Sequence, residues 1–263
     1  MAKRVDPSLS WAAYREGHLV LRSWIEGVPE SSWERESVLP GWAVADLVAH
    51  LATVADSVTA LEPAARGVAA AGLGDYLAAY APVADGIAER ARELAADAGR
   101  YPGAIMTTVD ERFAAAVDAL DRIGLHDQVV VGRRGAIRLG DYLLTRAVEI
   151  AVHADDLARS VPVAGPLKLP KDTVRLAVRA LLEVVAQRAP GRTVEVRVPP
   201  HAAVQCVEGP RHTRGTPPNV VEMDATTWLR LAAGRTRWAD ELAAAHVSAS
   251  GDRADLSAYL PVL

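Results

Sequence analysis

Arg146-Ala147-Val148-Glu149-Ile150-Ala151-Val152-His153-Ala154-Asp155-Asp156-Leu157 decides how this chain is read. Glu149 and His153 are four residues apart, so on a helix they stand one above the other on one face. Tyr142, Arg146 and Asp156 fall on that same face, where a bundle helix normally places apolar side chains. Ionisable groups turned into a bundle are costly unless they are paired or bind metal. A second stretch, Leu39-Pro40-Gly41-Trp42-Ala43-Val44-Ala45-Asp46-Leu47-Val48-Ala49-His50-Leu51, supplies His50 on an inward stripe with Leu47, Leu51 and Val54. Two imidazoles and a carboxylate are the ligand set of a catalytic zinc that keeps one position open. Helical bundles build such sites from facing helices. His50, Glu149 and His153 are therefore the candidate metal ligands. Asp156, one turn past His153, is either an outer partner that orients an imidazole or a solvated charge near a helix end. Arg146 either pairs with Glu149 or an anionic ligand group, or forms an ordinary surface pair. Both are candidate cofactor-contacting residues.

Working outward, the first 160 residues read as helix. Trp11, Tyr14, His18, Leu21 and Ile25 recur at helical spacing and stop before Pro29. A second helix starts near Val44. A third is expected over 75–98, kinked at Pro82 and Gly86, then a turn at Tyr101-Pro102-Gly103. A fourth covers 104–123, with Gly124 as its C-cap. Val129 to Gly135 reads as a loop or short hairpin, and the Glu149 helix runs over 139–160. His18 is core or pocket lining. His126, His201, His212 and His246 lack ligand spacing.

Val161 to Pro166 reads as a linker, and the pattern then changes. A helix suits 171–188. Segments 193–198 and 202–208 alternate with period two. A polar loop from Gly209 to Pro218 precedes Val220 to Met223. Asp224 is placed to cap a short helix carrying Trp228 and Leu231. A helix, then Val247-Ser248-Ala249-Ser250, then a final helix from about Asp252 complete the chain. The fold class is α+β in two domains, a helical bundle over 1–163 and a small α+β domain over 164–263.

The 263 residues carry a net charge of −4, and half are hydrophobic. A core is affordable, and neither a nucleic acid nor an anionic membrane is an expected partner. With no apolar run of about 20 residues and no signal-like N-terminus, a cytoplasmic protein is expected. The lone Cys206 makes no intramolecular disulfide and reads as inert and half-buried. Arginine far outnumbers lysine, as in chains from GC-rich, for example actinobacterial, genomes.

On the two quoted blocks the chain resembles the mycothiol-dependent maleylpyruvate isomerase family, within the wider DinB-like metal-binding four-helix bundles. The pattern Arg-x-x-Glu-x-x-x-His-x-x-Asp-Leu stands intact from Arg146 to Leu157. The resemblance implies a divalent metal, usually zinc, on His50, Glu149 and His153. It implies a sterol-carrier-like C-terminal domain, and a functional arginine there matching Arg235 or its neighbour Arg237. It also implies mycothiol as cofactor, with an electrophilic small molecule as partner. The expected activity is a mycothiol S-transferase or isomerase. A thiol of pKa about 8.5 is mostly protonated at neutral pH, and zinc would hold it as the nucleophilic thiolate. Two other readings stay open: a zinc-dependent hydrolase with Asp156 as base, and a non-catalytic metal- and ligand-binding protein.

Overall fold

A computed structural model describes residues 4–209 and 218–263; His212 and most of the polar Gly209 to Pro218 loop lie outside the described residues. Helix α1 (Pro7–Ile25) opens with Asp6, whose carboxylate accepts from the Ser8 N–H at 2.9 Å, and with Pro7 at the first helical position. Its buried face is Trp11, Tyr14, His18, Leu21 and Ile25, as the spacing requires. After α2 (Val44–Thr59) come the two-residue strand β1 (Glu62–Pro63) and α3 (Leu73–Ala78). Then follow α4 (Ala84–Asp97) and α5 (Pro102–Ile123). The hairpin β2 (Val129–Gly132) and β3 (Gly135–Arg138) leads into α6 (Leu139–Ser160).

Four helices form the bundle. α2 packs on α5, α1 packs on α6, and α2 meets α6 across the middle. α1 is tied to α5 by the Arg22–Asp110 ion pair at 2.7 Å and by Trp11 stacked on Phe113. The expected 75–98 helix is instead broken. Pro82 sits in a 3-10 turn, Ala81–Val83, between α3 and α4. Proline's missing N–H and its ring end a helix more readily than they kink one. Tyr101-Pro102 starts α5 rather than forming a separate turn, because Pro102 occupies the first helical position. Gly124 ends α5 with φ +81°. The hairpin pairs with β1 into an antiparallel sheet of order β1-β2-β3.

The second part begins with α7 (Lys171–Arg188), then β4 (Val194–Val198) and β5 (Ala202–Cys206). It continues through β6 (Val220–Met223), α8 (Ala225–Ala232), α9 (Trp238–Ala243) and β7 (Val247–Ser250). The sheet order is β5-β4-β6-β7, with β4 and β6 parallel and the other pairs antiparallel. Asp224 caps α8, accepting from the Thr227 N–H at 2.8 Å. The final helix expected from Asp252 is a correction: only one 3-10 turn forms, Ser257–Tyr259. Ala254, Leu256 and Val262 are buried, and Arg188 donates to the carbonyls of Pro261 and Val262, so the tail docks as an irregular strap. Cys206 is wholly buried rather than half-buried, and burial raises its thiol to about 11.

The two parts meet along α7, which packs on α6 and α1. Gly17 makes this approach possible: a Cβ there would lie 2.8 Å from Thr173 and 2.9 Å from Ile150. Thr173 donates to the Ala13 carbonyl at 2.7 Å across the same contact. No helix among the described residues is long and apolar enough to cross a membrane.

His18 belongs to the core. It is 1% exposed and stacks on Phe113 with ring centroids 3.8 Å apart. Burial lowers its pKa to about 4, despite the nearby Asp110 carboxylate. The unfolded chain therefore takes up a proton at His18 near pH 6.5, where the folded chain does not. Stability is full above pH 6.5 and falls toward pH 4, by roughly 3 kcal/mol from this group. Urea denaturation at pH 7 and pH 4 should show a His18→Leu variant losing about that much less stability than the wild type.

Candidate metal centre

His50 projects from the middle of α2, and Glu149 and His153 from successive turns of α6. The His153 Nε2 lies 3.2 Å from Glu149 Oε2, and the His50 Nε2 lies 3.5 Å from the same oxygen. One ligand atom from each residue falls within 4.8 Å of the others. Zinc bonds of 2.0–2.2 Å in tetrahedral geometry place neighbouring ligand atoms about 3.4 Å apart. The two separations to Glu149, 3.2 and 3.5 Å, match that spacing, so the cluster fits a cation.

The outer nitrogens strengthen this reading. His153 Nδ1 lies 3.1 Å from Asp156 Oδ2, and His50 Nδ1 lies 2.9 Å from Thr53 Oγ1. Both partners are three residues further along the same helix. The Thr53 hydroxyl spends its one proton on the His50 carbonyl at 2.8 Å, so it accepts from His50 Nδ1–H. Neutral His50 then presents a bare Nε2 lone pair to the Glu149 carboxylate. Two acceptors facing each other in a buried site repel unless a cation lies between them. The donor set fits a divalent metal on chemical grounds as well as by distance.

The electrostatics follow. Burial lowers the pKa of His50. Burial opposes charge on His153 too, but hydrogen bonds to Asp156 and Glu149 prevail and hold it up at about 9. Glu149 is driven well below the carboxylate range by the two imidazoles and Arg146, against the cost of burial. Asp156 is wholly buried and sits at about 2, because His153 and Arg235 outweigh its desolvation.

Arg235, in the turn after α8, reaches Asp156 with Nη2 at 3.0 Å from Oδ2. Arg159 holds the other oxygen at 2.8 Å. Arg230 on α8 pairs with Asp155 at 2.7 Å. The second part of the chain thus grips the acidic end of α6. Arg237 lies apart: its side chain is 83% exposed and pairs with Asp240. Arg146 is buried, with its Nη2 3.7 Å from Glu149 Oε1 and its Nη1 donating to Ser57 Oγ at 3.0 Å. It is an interior pair rather than a surface one. Asp156 is likewise an interior charge, not a solvated helix end. Among the described residues His50, Glu149 and His153 are the one such ligand group, and His246 pairs elsewhere, with Glu241. Thr53 escaped the sequence reading, although its spacing from His50 repeats that of Asp156 from His153. A cavity of about 140 Å³ opens beside His50 and Glu149.

Outer partners of ligating histidines set affinity by fixing ring orientation and tautomer, typically over 10- to 100-fold. Asp156→Asn and Thr53→Val should each weaken zinc binding by that order in competition with a chromophoric chelator. Their far-UV circular dichroism should match the wild type.

The comparisons with known proteins agree with the architecture. The family described as mycothiol maleylpyruvate isomerase N-terminal domain matches residues 14–158, and that described as bacterial SCP ortholog matches residues 170–262. No curated protein matches the chain by sequence. Among solved structures, the crystal structure of the mycothiol-dependent maleylpyruvate isomerase superposes with a TM-score of 0.60 at 17% identity. The superposition covers 95% of this chain and 94% of that one. A histidine-to-alanine mutant of the mycothiol-dependent maleylpyruvate isomerase gives 0.59 at 16% identity, with the same coverage. At such identity these likenesses speak for the fold. With its bundle matched over more than half the sequence, and a sterol-carrier-like segment behind it, the chain belongs to the mycothiol maleylpyruvate isomerase N-terminal domain family.

Proposed function

We propose that the chain is a metal-dependent, mycothiol-dependent S-transferase or isomerase acting on an electrophilic small molecule. His50, Glu149 and His153 hold the cation, with zinc the first choice for two imidazoles and a carboxylate. The observation that carries the reading is the pair of imidazoles aimed at one carboxylate oxygen, each locked from behind by its own helix, beside a cavity. A divalent cation there supplies the Lewis acidity that shifts a thiol toward its thiolate.

The chain's own groups do the rest. Asp156 and Thr53 fix the two rings. Arg235 and Arg159 keep Asp156 ionised, so it accepts from His153 Nδ1–H. Arg146 offsets the charge of Glu149 inside the bundle. Among the described residues the ligand group has three members, which leaves a position for an exogenous ligand. The chain's own thiol is not that ligand: Cys206 is buried at the end of β5, in the other part of the molecule. The nucleophile must come from outside, and family membership points to mycothiol.

Asp156 is a poor hydrolytic base. It is wholly buried, held by three partners, and sits at about 2. A general base works best with a pKa near the operating pH.

Zinc-loaded protein, given mycothiol and a panel of Michaelis acceptors, epoxides and alkyl halides, should form or isomerise a thiol adduct, read by mass spectrometry and product analysis. His50→Ala should lose at least 100-fold of that rate. Turnover without thiol, or no thiol-dependent product across the panel with metal bound, would contradict the assignment.

A further inference from the structure

Arg230 does two things at once. Its guanidinium grips Asp155 with two bonds, Nε to Oδ2 at 2.8 Å and Nη2 to Oδ1 at 2.7 Å. Its backbone carbonyl accepts from the Arg235 N–H at 2.8 Å, closing the last turn of α8. Gly234 permits that closure by taking φ +67°, the left-handed conformation with which helices commonly end. In the same turn the Ala232 carbonyl accepts from the N–H groups of Val262 and Leu263, at 2.8 and 3.1 Å. The turn that carries Arg235 is braced from both sides.

From Asp155 the contacts run inward. Arg159 divides itself between two carboxylates: its Nε donates to Asp155 Oδ2 at 3.0 Å and its Nη2 to Asp156 Oδ1 at 2.8 Å. Asp156 Oδ2 lies 3.1 Å from His153 Nδ1. One unbroken series, Arg230, Asp155, Arg159, Asp156 and His153, therefore joins α8 to a candidate ligand. Isolated surface ion pairs contribute little, but two-pronged arginine–carboxylate contacts within a network are the exception. The Asp155 side chain is 20% exposed and that of Asp156 is wholly buried, so screening by solvent fades toward the ligand end.

Without Arg230, Asp155 keeps only Arg159 among the described residues, and draws on a guanidinium that Asp156 also needs. The carboxylate behind His153 is then free to shift, and such a partner sets the ring orientation of a ligating histidine. We propose that Arg230 is a positioning residue for the metal centre, acting on His153 through Asp155, Arg159 and Asp156, so that docking of the second part and cation binding are coupled. Such coupling is reciprocal: what docking gives to cation affinity, cation binding returns to docking. This rests on the proposed function for the cation alone, not for the thiol or its acceptor.

Zinc affinity, read by competition with a chromophoric chelator, and melting temperature are compared for wild type, Arg230→Met, Arg230→Lys and Arg197→Met. Arg197 is the control, an arginine of the same part that pairs with Glu195 on β4. Arg230→Met should weaken zinc binding about 3- to 10-fold, below the 10- to 100-fold typical of a direct outer partner. Arg230→Lys keeps the charge without the second prong and should fall between that variant and the wild type. Arg197→Met should leave the affinity unchanged. In the wild type, zinc should also slow amide hydrogen exchange over residues 225–235 more than in β5. That measurement decides alone should Arg230→Met not fold. A purely structural role would lower the melting temperature of Arg230→Met but leave its zinc affinity within about 2-fold of wild type, and that result would overturn the proposal. So would equal slowing of exchange over 225–235 and β5, or a wild type that binds no zinc. Coupling without any thiol-dependent product would keep the positioning role and discard the transferase reading. Thiol-dependent turnover with zinc affinity unmoved in Arg230→Met would do the reverse.

Discussion

A mostly buried carboxylate between two imidazoles governs this molecule. Glu149 is placed in the bundle interior, where an isolated charge costs several kcal/mol. Everything around it reduces that cost. His50 and His153 approach the same oxygen from different helices, and Arg146 stands one turn away on α6. Behind His153 lies a second buried carboxylate, Asp156, which demands cations of its own and takes Arg159 and Arg235. The charges thus run in a chain from α2, through α6, to the turn after α8. The candidate ligand cluster, the helix packing and the docking of the second part are linked through it.

The linkage explains why the second part sits where it does. Among the described residues the candidate ligands all lie on α2 and α6, yet Arg235 and Arg230 seize the Asp155-Asp156 pair. Removing Arg235 leaves Asp156, the buried carboxylate that orients His153, short of a partner, and removing Arg230 does the same to its neighbour Asp155. Gly17 and Thr173 lock the same junction from the side of α1 and α7. A part of the chain that supplies none of the three candidate ligands can therefore still set their geometry.

Much of the bundle and the ligand cluster was legible because both are written in local spacing. Glu149, His153 and Asp156 share a face by helical periodicity, and His50 stands in an otherwise apolar stripe. The unread parts depend on approach through space. Arg235 meets Asp156 across 79 residues, so spacing alone could not separate it from Arg237, which faces solvent. Arg134 read as part of a loop or short hairpin, and its meeting with Tyr80 requires the turn after α3 to fold back on that hairpin. Pro82 looked like a kink, but it divides α3 from α4 because the flanking turns pack separately. The tail after Asp252 has helix-compatible residues. Its buried positions instead serve a docked strap, tied by Arg188 and by the Ala232 carbonyl.

The central claim is that three side chains hold one cation and leave one corner for an external sulfur. X-ray absorption on the zinc-loaded protein, with and without mycothiol, addresses it directly. The account predicts nitrogen and oxygen neighbours at about 2.0–2.2 Å throughout, with one sulfur neighbour at about 2.3 Å appearing only when mycothiol is added. A shell closed by four protein ligands, or one that mycothiol leaves unchanged, would contradict it.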